Sequence, residues 1–147
     1  MSQQYLTWLQ GHLNELHDKP ILENFLRLQF TEFSEGRVGC QCELDEQHGN
    51  IYGFIHGGTL ASVCDVAMGT ACLTLGKRIV TIDMNVSYIR NIPTAGVIRA
   101  VGTVISNGRT ILRATGQIFS TEGQLLVQSQ ASYFVTGEYT GQEEPKS

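Results

Sequence analysis

Asp65 is the residue of this sequence whose type and position most directly suggest chemistry. It lies in the middle of an apolar stretch, residues 59–75, which contains no proline and is long enough for about four helical turns. A stretch that is apolar almost all round predicts a helix inside the protein, where an unpaired carboxylate is costly. His56, Gly57 and Gly58 directly precede this stretch, so a glycine-rich helix start and a carboxylate lie on the same predicted helix.

These residue types are the ones that hydrolysis of an acyl group requires. Backbone N–H groups at a helix N-terminus are unpaired and favour negative charge, and glycines let them approach a ligand closely. Such groups can hold a developing oxyanion while a carboxylate activates water or attacks directly. A second interpretation fits the same residues: Asp65 is a structural carboxylate, and the glycines only permit tight packing.

The rest of the chain supplies the elements that must position these residues. Apolar residues at helical spacing predict an amphipathic helix over residues 4–18, and residues 21–26 could add a short second helix. Further on, apolar and polar residues alternate with the period of two that is typical of half-buried strands. The strand segments are residues 28–44, 80–90, 97–105, 110–119 and 125–135. The sequence therefore predicts an α+β fold, a curled antiparallel sheet of about six strands wrapped around one long central helix.

At 147 residues the chain is expected to be one domain. We divide it into an N-terminal helical segment packed on the domain (1–26), the sheet-and-helix domain (27–136) and a flexible tail (137–147). A sheet of this sort has exposed edges and one open face, so we expect it to pair with a second copy.

Composition excludes several classes of protein. With a net charge of −4 and a pI near 5.5, the chain lacks the basic character typical of nucleic-acid-binding proteins. No apolar run reaches membrane-spanning length without Asp65 interrupting it, and the N-terminus lacks the pattern of a signal peptide. We therefore expect a cytoplasmic protein with neither a nucleic-acid nor a membrane partner. Cys40, Cys42, Cys64 and Cys72 form no CxxC pair, so we expect reduced core cysteines and no metal site.

The combination of motifs resembles a known family, the hotdog-fold acyl-CoA thioesterases. The resemblance rests on the His-Gly-Gly sequence at 56–58, on Asp65 in the apolar helix, on Asn50 upstream and on the Thr-Ile-Asp-Met-Asn sequence at 81–85. It covers roughly residues 22–136 and is most similar to the PaaI-like enzymes of the phenylacetate pathway and the mammalian thioesterase superfamily member proteins. The resemblance implies a hotdog fold and hydrolysis of an aryl- or alkyl-acyl-CoA without metal or cofactor. It also implies a homodimer or a dimer of dimers.

The resemblance further implies an active site shared between two subunits. Asn50, His56 and Gly57 would come from one protomer. Asp65 and Thr81 would come from the other. The Gly57 N–H would polarise the thioester carbonyl, Asp65 would act as general base or nucleophile, and Thr81 would hold the attacking water. His56 would be a positioning residue rather than the proton carrier, and Asn50 would orient the carbonyl or the water.

Coenzyme A is heavily phosphorylated, so an acidic protein must gather local positive charge to bind it. We expect CoA to be bound by three arginines and by residues next to the helix start and the predicted hairpin turn: Gly58, Arg90, Asn107, Gly108, Arg109 and Arg113. Each arginine could also be an ordinary solvated surface residue. The acyl group would enter an apolar pocket formed by the helix, its partner copy and the N-terminal segment, and Tyr52 and Phe54 could line it.

Two other hotdog functions compete with hydrolysis. Hotdog dehydratases need a different His-containing motif, which this sequence lacks. The remaining alternative is a non-catalytic acyl-CoA-binding or sensing protein. Such sensors usually carry an added DNA-binding segment, and residues 1–26 are too short and insufficiently basic for a helix-turn-helix.

Overall fold

An N-terminal helical segment precedes the sheet in the computed structural model, which describes residues 2–94 and 96–139. Helix α1 is Gln3–Asn14, a 3₁₀ turn follows at Glu15–Asp18, and the short helix α2 is Leu22–Phe25. The predicted helix over 4–18 is confirmed, with its last turn tightened to 3₁₀. Leu6 and Leu9 are its buried residues. The Tyr5 hydroxyl donates to the carbonyl oxygens of Leu73 and Tyr139 at 2.7 and 2.6 Å, which ties the segment to distant parts of the chain.

Six strands form one antiparallel sheet. They are β1 (Leu28–Ser34), β2 (Arg37–Leu44), β3 (Lys77–Tyr88), β4 (Gly96–Asn107), β5 (Ile111–Ser120) and β6 (Leu125–Glu138). Their order in the sheet is β1-β2-β4-β5-β6-β3, so β1 and β3 are the edge strands. The predicted hairpin between β4 and β5 is confirmed, and Gly108 is required in its turn because a Cβ there would lie 2.3 Å from the Ile111 carbonyl oxygen.

The central helix α3 runs from Gly57 to Leu73 and lies on one face of the sheet. It begins two residues earlier than the apolar stretch predicts, because the His56 side chain caps it and brings both glycines into the first turn. Gly76 follows with φ = +76°, the left-handed conformation expected of a glycine that ends a helix. One helix inside a curled antiparallel sheet is the hotdog fold that the sequence predicted.

Two paired glycines let α3 approach the sheet closely. Gly102 on β4 and Gly116 on β5 are register partners. A Cβ at Gly102 would lie 2.2 Å from the Ala67 carbonyl oxygen, and one at Gly116 would lie 2.7 Å from the Ser129 hydroxyl oxygen. The helix backbone therefore lies directly on β4 at Gly102, and Gly116 leaves room for the Ser129 and Met68 side chains.

A bulge interrupts the alternation of β3. Val80 and Ile82 belong to the predicted strand segment 80–90, and they are 52 and 50% exposed. The register of β3 against β6 shifts between Thr81 and Asp83, so the inward-facing positions change phase at that point. Before the bulge Thr81 turns toward α3, where it reaches Asp65.

The four cysteines are free and buried. Burial raises the pKa of Cys64 to about 11 and that of Cys42 and Cys72 to about 12, and it raises the pKa of Cys40 further. The thiols therefore stay protonated near neutral pH and pack as small apolar groups.

Strand β6 continues through Glu138, so the first residues of the expected tail, 137–147, belong to the sheet. Residues 140–147 lie outside the described residues, and a flexible tail there stays a prediction. Among residues 2–94 and 96–139, no helix is both long and apolar enough to cross a bilayer.

Candidate active site

Asp65 lies on the third turn of α3 and is held by two hydroxyl groups from the sheet. The Thr81 hydroxyl donates to Asp65 Oδ1 at 3.0 Å. The Tyr133 hydroxyl donates to the same Oδ1 at 2.9 Å and lies 3.2 Å from the Asp65 carbonyl oxygen. We call these three residues the Asp65 cluster; they show how a half-buried carboxylate on an apolar helix is satisfied.

Strand pairing brings the two donors together. Thr81 on β3 and Tyr133 on β6 are direct register partners, so their side chains stand side by side on the face that meets α3. The bulge begins immediately after Thr81. Bulges often re-aim a side chain beside an active site, and this one ends the alternation at the residue that contacts Asp65.

The second carboxylate oxygen of Asp65, Oδ2, differs from Oδ1 in its hydrogen bonding. Among residues 2–94 and 96–139, no group donates a hydrogen bond to Oδ2. A carboxylate has about four acceptor sites, and the cluster occupies only those on Oδ1. Oδ2 is therefore free to accept a proton from water or to attack an electrophile.

Sequence reasoning missed Tyr133. Its side chain is fully buried, and burial first, then the negative charge of Asp65, raises its pKa far above the ordinary value. The hydroxyl therefore remains a proton-bearing donor at any ordinary pH. The usable signal was that a buried tyrosine hydroxyl needs a polar partner, and Asp65 was the one carboxylate on the predicted buried helix.

The first turn of α3 leaves one backbone donor unpaired. The Gly58 N–H donates to His56 Nδ1 at 2.8 Å, and the N–H groups of Thr59 and Leu60 both donate to the His56 carbonyl oxygen. Within the described part of the chain, no acceptor pairs with the Gly57 N–H. The position predicted to supply the oxyanion donor is thus the one whose donor is available. We call His56, Gly57 and Gly58 the helix start.

A buried histidine holds the helix start in place. The His48 carbonyl oxygen accepts from the His56 N–H at 2.9 Å and from the Thr59 hydroxyl at 3.0 Å. Its ring accepts from the Asp45 N–H through Nδ1 and donates to the Phe25 carbonyl oxygen through Nε2. Both ring nitrogens are engaged, so His48 has a structural role.

Asn50 uses its side-chain oxygen to build the loop before the helix start. Its Oδ1 accepts from the Tyr52 N–H at 2.9 Å and from the Phe54 N–H at 3.2 Å. Asn50 and His56 line the same shallow pocket, so the structure brings these two predicted site residues together. With Oδ1 engaged in the loop, the side-chain amide N–H groups are what Asn50 can offer to a substrate.

The helix start and the Asp65 cluster do not meet within one chain. Gly57 and Asp65 are about 12 Å apart along the helix axis at 1.5 Å per residue. Both regions contact strand β3, but at different points. The Tyr88 hydroxyl, at the end of β3, donates to the Gly57 carbonyl oxygen at 2.8 Å, whereas Thr81, which contacts Asp65, lies earlier on the same strand. Within one chain the two groups of predicted site residues therefore lie at different levels of α3.

The residues predicted to bind CoA also divide between two ends of the sheet. Arg90 follows β3 at the end near the helix start, where Gly58 lies. Asn107, Gly108 and Arg109 form the turn at the opposite end, and Arg113 lies on β5 between them. A strand as long as β3 spans roughly 35 Å, so the six positions form no single patch in one chain. Lys77, which the sequence analysis overlooked, donates to Asn107 Oδ1 at 2.5 Å and to the Gly108 carbonyl oxygen at 2.9 Å.

A cavity of about 540 Å³ lies between the N-terminal segment, β1 and α3. Half of its twelve lining residues are aliphatic, five are polar or charged and one is aromatic: Leu13, Asn14, Leu16, Ile21, Glu23, Asn24, Leu28, Gln29, Phe30, Val66, Thr70 and Leu73. Tyr52 and Phe54, which the sequence suggested as lining residues, are not part of it.

Comparison with known proteins gives the family of this fold and site. The model of the family described as Thioesterase superfamily matches residues 52–127, which include the helix start and the Asp65–Thr81 pair. Human acyl-coenzyme A thioesterase 13 is 26% identical over 104 residues, covering 64% of this chain and 74% of the human protein.

Two solved structures extend the comparison. A hypothetical thioesterase from Streptococcus pneumoniae, solved with coenzyme A, has a TM-score of 0.73 and 26% identity, covering 76% of this chain and 87% of that one. Two further structures of the S. pneumoniae protein each carry one alanine substitution, at an aspartate and at a threonine. The PaaI protein of Escherichia coli has a TM-score of 0.83 over 92% of this chain and 98% of its own, and at 16% identity it shares the fold.

Proposed function

The chain belongs to the thioesterase superfamily of thioester hydrolases, and we propose that it hydrolyses an acyl-CoA to a free acid and CoA. Asp65 serves as general base or nucleophile, and the Gly57 N–H is the oxyanion donor. The observation that carries the proposal is the state of the Asp65 carboxylate, which has two donors on Oδ1 and none on Oδ2 among the described residues. That arrangement leaves one oriented oxygen for the reaction.

A spacing in a related protein supports the assignment of Asp65 and Thr81. In the S. pneumoniae thioesterase, the aspartate and the threonine that were each replaced by alanine are sixteen positions apart. Asp65 and Thr81 have the same residue types and the same separation of 16 positions. The pair that forms a hydrogen bond here thus corresponds in type and spacing to residues that were substituted there.

The chemistry needs only these groups. In the base mechanism, a water oxygen attacks the thioester carbon while Asp65 Oδ2 takes the water proton. The carbonyl oxygen becomes an oxyanion, which accepts a hydrogen bond from the Gly57 N–H. The Thr81 hydroxyl donates to Oδ1 and keeps lone pairs that can accept a hydrogen bond from the same water. The carbon–sulfur bond then breaks, and the CoA thiolate leaves and takes up the proton.

We further propose that the reacting site forms between two copies of the chain. Gly57 of one protomer would meet Asp65 of its partner, which resolves the separation of about 12 Å within one chain. Strand β3 is an open edge with apolar residues exposed, among them Val80, Ile82 and Tyr88. An edge of this kind pairs readily with another strand, and a twofold axis would create two equal sites in a dimer or a dimer of dimers.

The acyl group and CoA are assigned to separate surfaces. We assign the acyl group to the cavity under the N-terminal segment, whose lining contains no cation and includes six Leu, Ile and Val side chains. CoA phosphates would be bound by Arg90, Arg109 and Arg113, with Lys77 beside the Asn107–Gly108 turn as a further cation. Six aliphatic side chains against one aromatic ring favour alkyl over aryl acyl groups.

Release of free CoA thiol from a panel of alkyl- and aryl-acyl-CoAs tests the proposal. We compare the wild type with Asp65→Asn, which keeps the shape and removes the base, and with Asp83→Asn, the same change at an exposed aspartate that neither hydroxyl contacts. Loss of a positioned general base is expected to lower turnover by about 10²–10⁴-fold in Asp65→Asn, with little change in Asp83→Asn. Binding of acyl-CoA by the wild type without turnover would instead identify a non-catalytic acyl-CoA-binding protein.

A further inference from the structure

We propose that Tyr133 is a positioning residue for the reaction: it holds Asp65 Oδ1 so that Oδ2 faces the substrate. The inference rests on the proposed function of Asp65. Tyr133 acts only through that carboxylate, since its hydroxyl lies 2.9 Å from Oδ1 and its other contact is the Asp65 carbonyl oxygen at 3.2 Å.

The tyrosine ring is fixed from several sides. Tyr133 lies on β6 between β5 and β3, with Leu112 and Thr81 as its register partners. Its side chain is fully buried. Gly69, one helical turn after Asp65, faces the ring, and a Cβ there would lie in van der Waals contact with Tyr133 Cε1 at 3.7 Å. A ring packed in this way presents its hydroxyl at one place and cannot follow a rotating carboxylate.

An aspartate carboxylate needs such a restraint. Rotation about the bond to the carboxylate is broad rather than confined to sharp wells, so one donor alone leaves the two oxygens free to exchange. The hydroxyls of Thr81 and Tyr133 converge on Oδ1 from adjacent strands. Two donors on one oxygen distinguish Oδ1 from Oδ2 and hold the reacting oxygen in a single orientation.

The protonation states of the surrounding groups are compatible with this role. Burial and the charge of Asp65 raise the pKa of Tyr133, so it keeps its proton and donates throughout the working range. The thiols of Cys64 and Cys72, which interact electrostatically with the tyrosine, also have raised pKa values because of burial. Thr81, which contacts Asp65 from β3, does not ionise. The charge of the cluster therefore comes from Asp65.

The first test compares Tyr133→Phe with Tyr5→Phe. Both changes remove one hydroxyl that makes two hydrogen bonds, but the Tyr5 hydroxyl contacts Leu73 and Tyr139, far from Asp65. Tyr133→Phe is expected to lower kcat about tenfold with KM unchanged, because the reacting carboxylate loses one donor that orients it while substrate binding is untouched. Tyr5→Phe should leave both kcat and KM unchanged.

The second test places Tyr133→Phe in the Asp65→Asn background. If Tyr133 acts through the carboxylate, the double variant should be no slower than Asp65→Asn alone. A further tenfold loss in that background, or a wild-type kcat in Tyr133→Phe, would overturn the positioning role. Wild-type turnover in Asp65→Asn itself would overturn the proposed function instead, so the two failures are distinct. Thermal unfolding of each variant confirms that the comparison is made between folded proteins.

Discussion

The Asp65 cluster and the helix start differ in how far one chain completes them. In the cluster, donors from β3 and β6 already converge on Oδ1, and the tyrosine among them is fully buried. At the helix start the side chain of His56 is exposed, and the Gly57 N–H has no acceptor within the described part of the chain. Both regions lie on the same helix, about 12 Å apart.

This difference indicates which part of the proposed site is ordered before substrate binds and which part gains its hydrogen-bond partner only when substrate binds. A carboxylate held by two donors is ready for one geometry before anything binds. An unpaired N–H at a helix terminus gains its partner only when an oxygen arrives, and it gains most when that oxygen carries negative charge. The cluster is therefore expected to set the reacting geometry, and the helix start to stabilise the transition state.

After Asp65→Asn, the largest effect is expected from removing the donor at the helix start. Gly57→Pro removes the N–H at a position where proline suits a helix, and His56 already has the extended conformation that a following proline requires (φ −63°, ψ 136°). We expect a loss of about 10²–10³-fold in kcat.

Gly57→Ala is the matched control for this prediction, because it adds a Cβ and keeps the N–H. That Cβ would lie 3.3 Å from the exposed Tyr88 ring, which can shift slightly. Alanine is expected to lose less than tenfold. Equal losses in the two variants would mean that the added bulk, and not the missing donor, causes the defect.

A smaller effect is expected from weakening the cluster at Thr81. Thr81→Val keeps the shape and removes the hydroxyl that donates to Asp65 Oδ1. Loss of one hydrogen bond to a charged group is expected to lower kcat roughly tenfold to hundredfold. Thr81→Ser keeps the hydroxyl and should stay within a few-fold of the wild type. Identical kinetics in Val and Ser would show that the threonine is present only because it suits a strand.

The smallest effect concerns His56, whose Nδ1 caps α3 through the Gly58 N–H. Asparagine is a good helix cap, so His56→Asn should keep turnover within about threefold and preserve stability. His56→Ala should lower the free energy of unfolding by about 1 kcal/mol, measured in urea. If His56→Asn and His56→Ala both lost most of their thiol-release activity, His56 would carry a proton in the reaction rather than position the helix start.

The sequence was sufficient for the fold because its main signals are local. An apolar stretch of helical length, period-two segments and an Asn-Gly turn each report one element, and the structure confirms the helix, the hairpin and the strand count. The sequence does not show in the same way which residues of β3 face the helix and which face solvent. A bulge adds one residue without any distinctive residue type, so alternation alone does not show that Val80 and Ile82 are exposed.

The site was only partly predictable for a similar reason. Asp65 stood out because a carboxylate on an apolar helix needs partners, and Thr81 was named as its neighbour by resemblance. Tyr133 was missed because the contact joins residues 68 positions apart. The burial pattern of β6 also breaks its alternation near Ala131, Ser132 and Tyr133, so periodicity did not mark the tyrosine as a residue facing the helix.

Mixing two inactive variants tests the shared site most directly. Asp65→Asn and Gly57→Pro are unfolded and refolded together so that mixed dimers form, and thiol release is compared with that of each variant refolded alone. In a mixed dimer, one of the two sites combines an intact Gly57 with an intact Asp65 of the partner. We predict recovery to about a quarter of wild-type activity, because half of the dimers are mixed and each has one complete site. If mixed dimers form and activity stays at the level of the separate variants, the helix start and the Asp65 cluster do not act together across two chains.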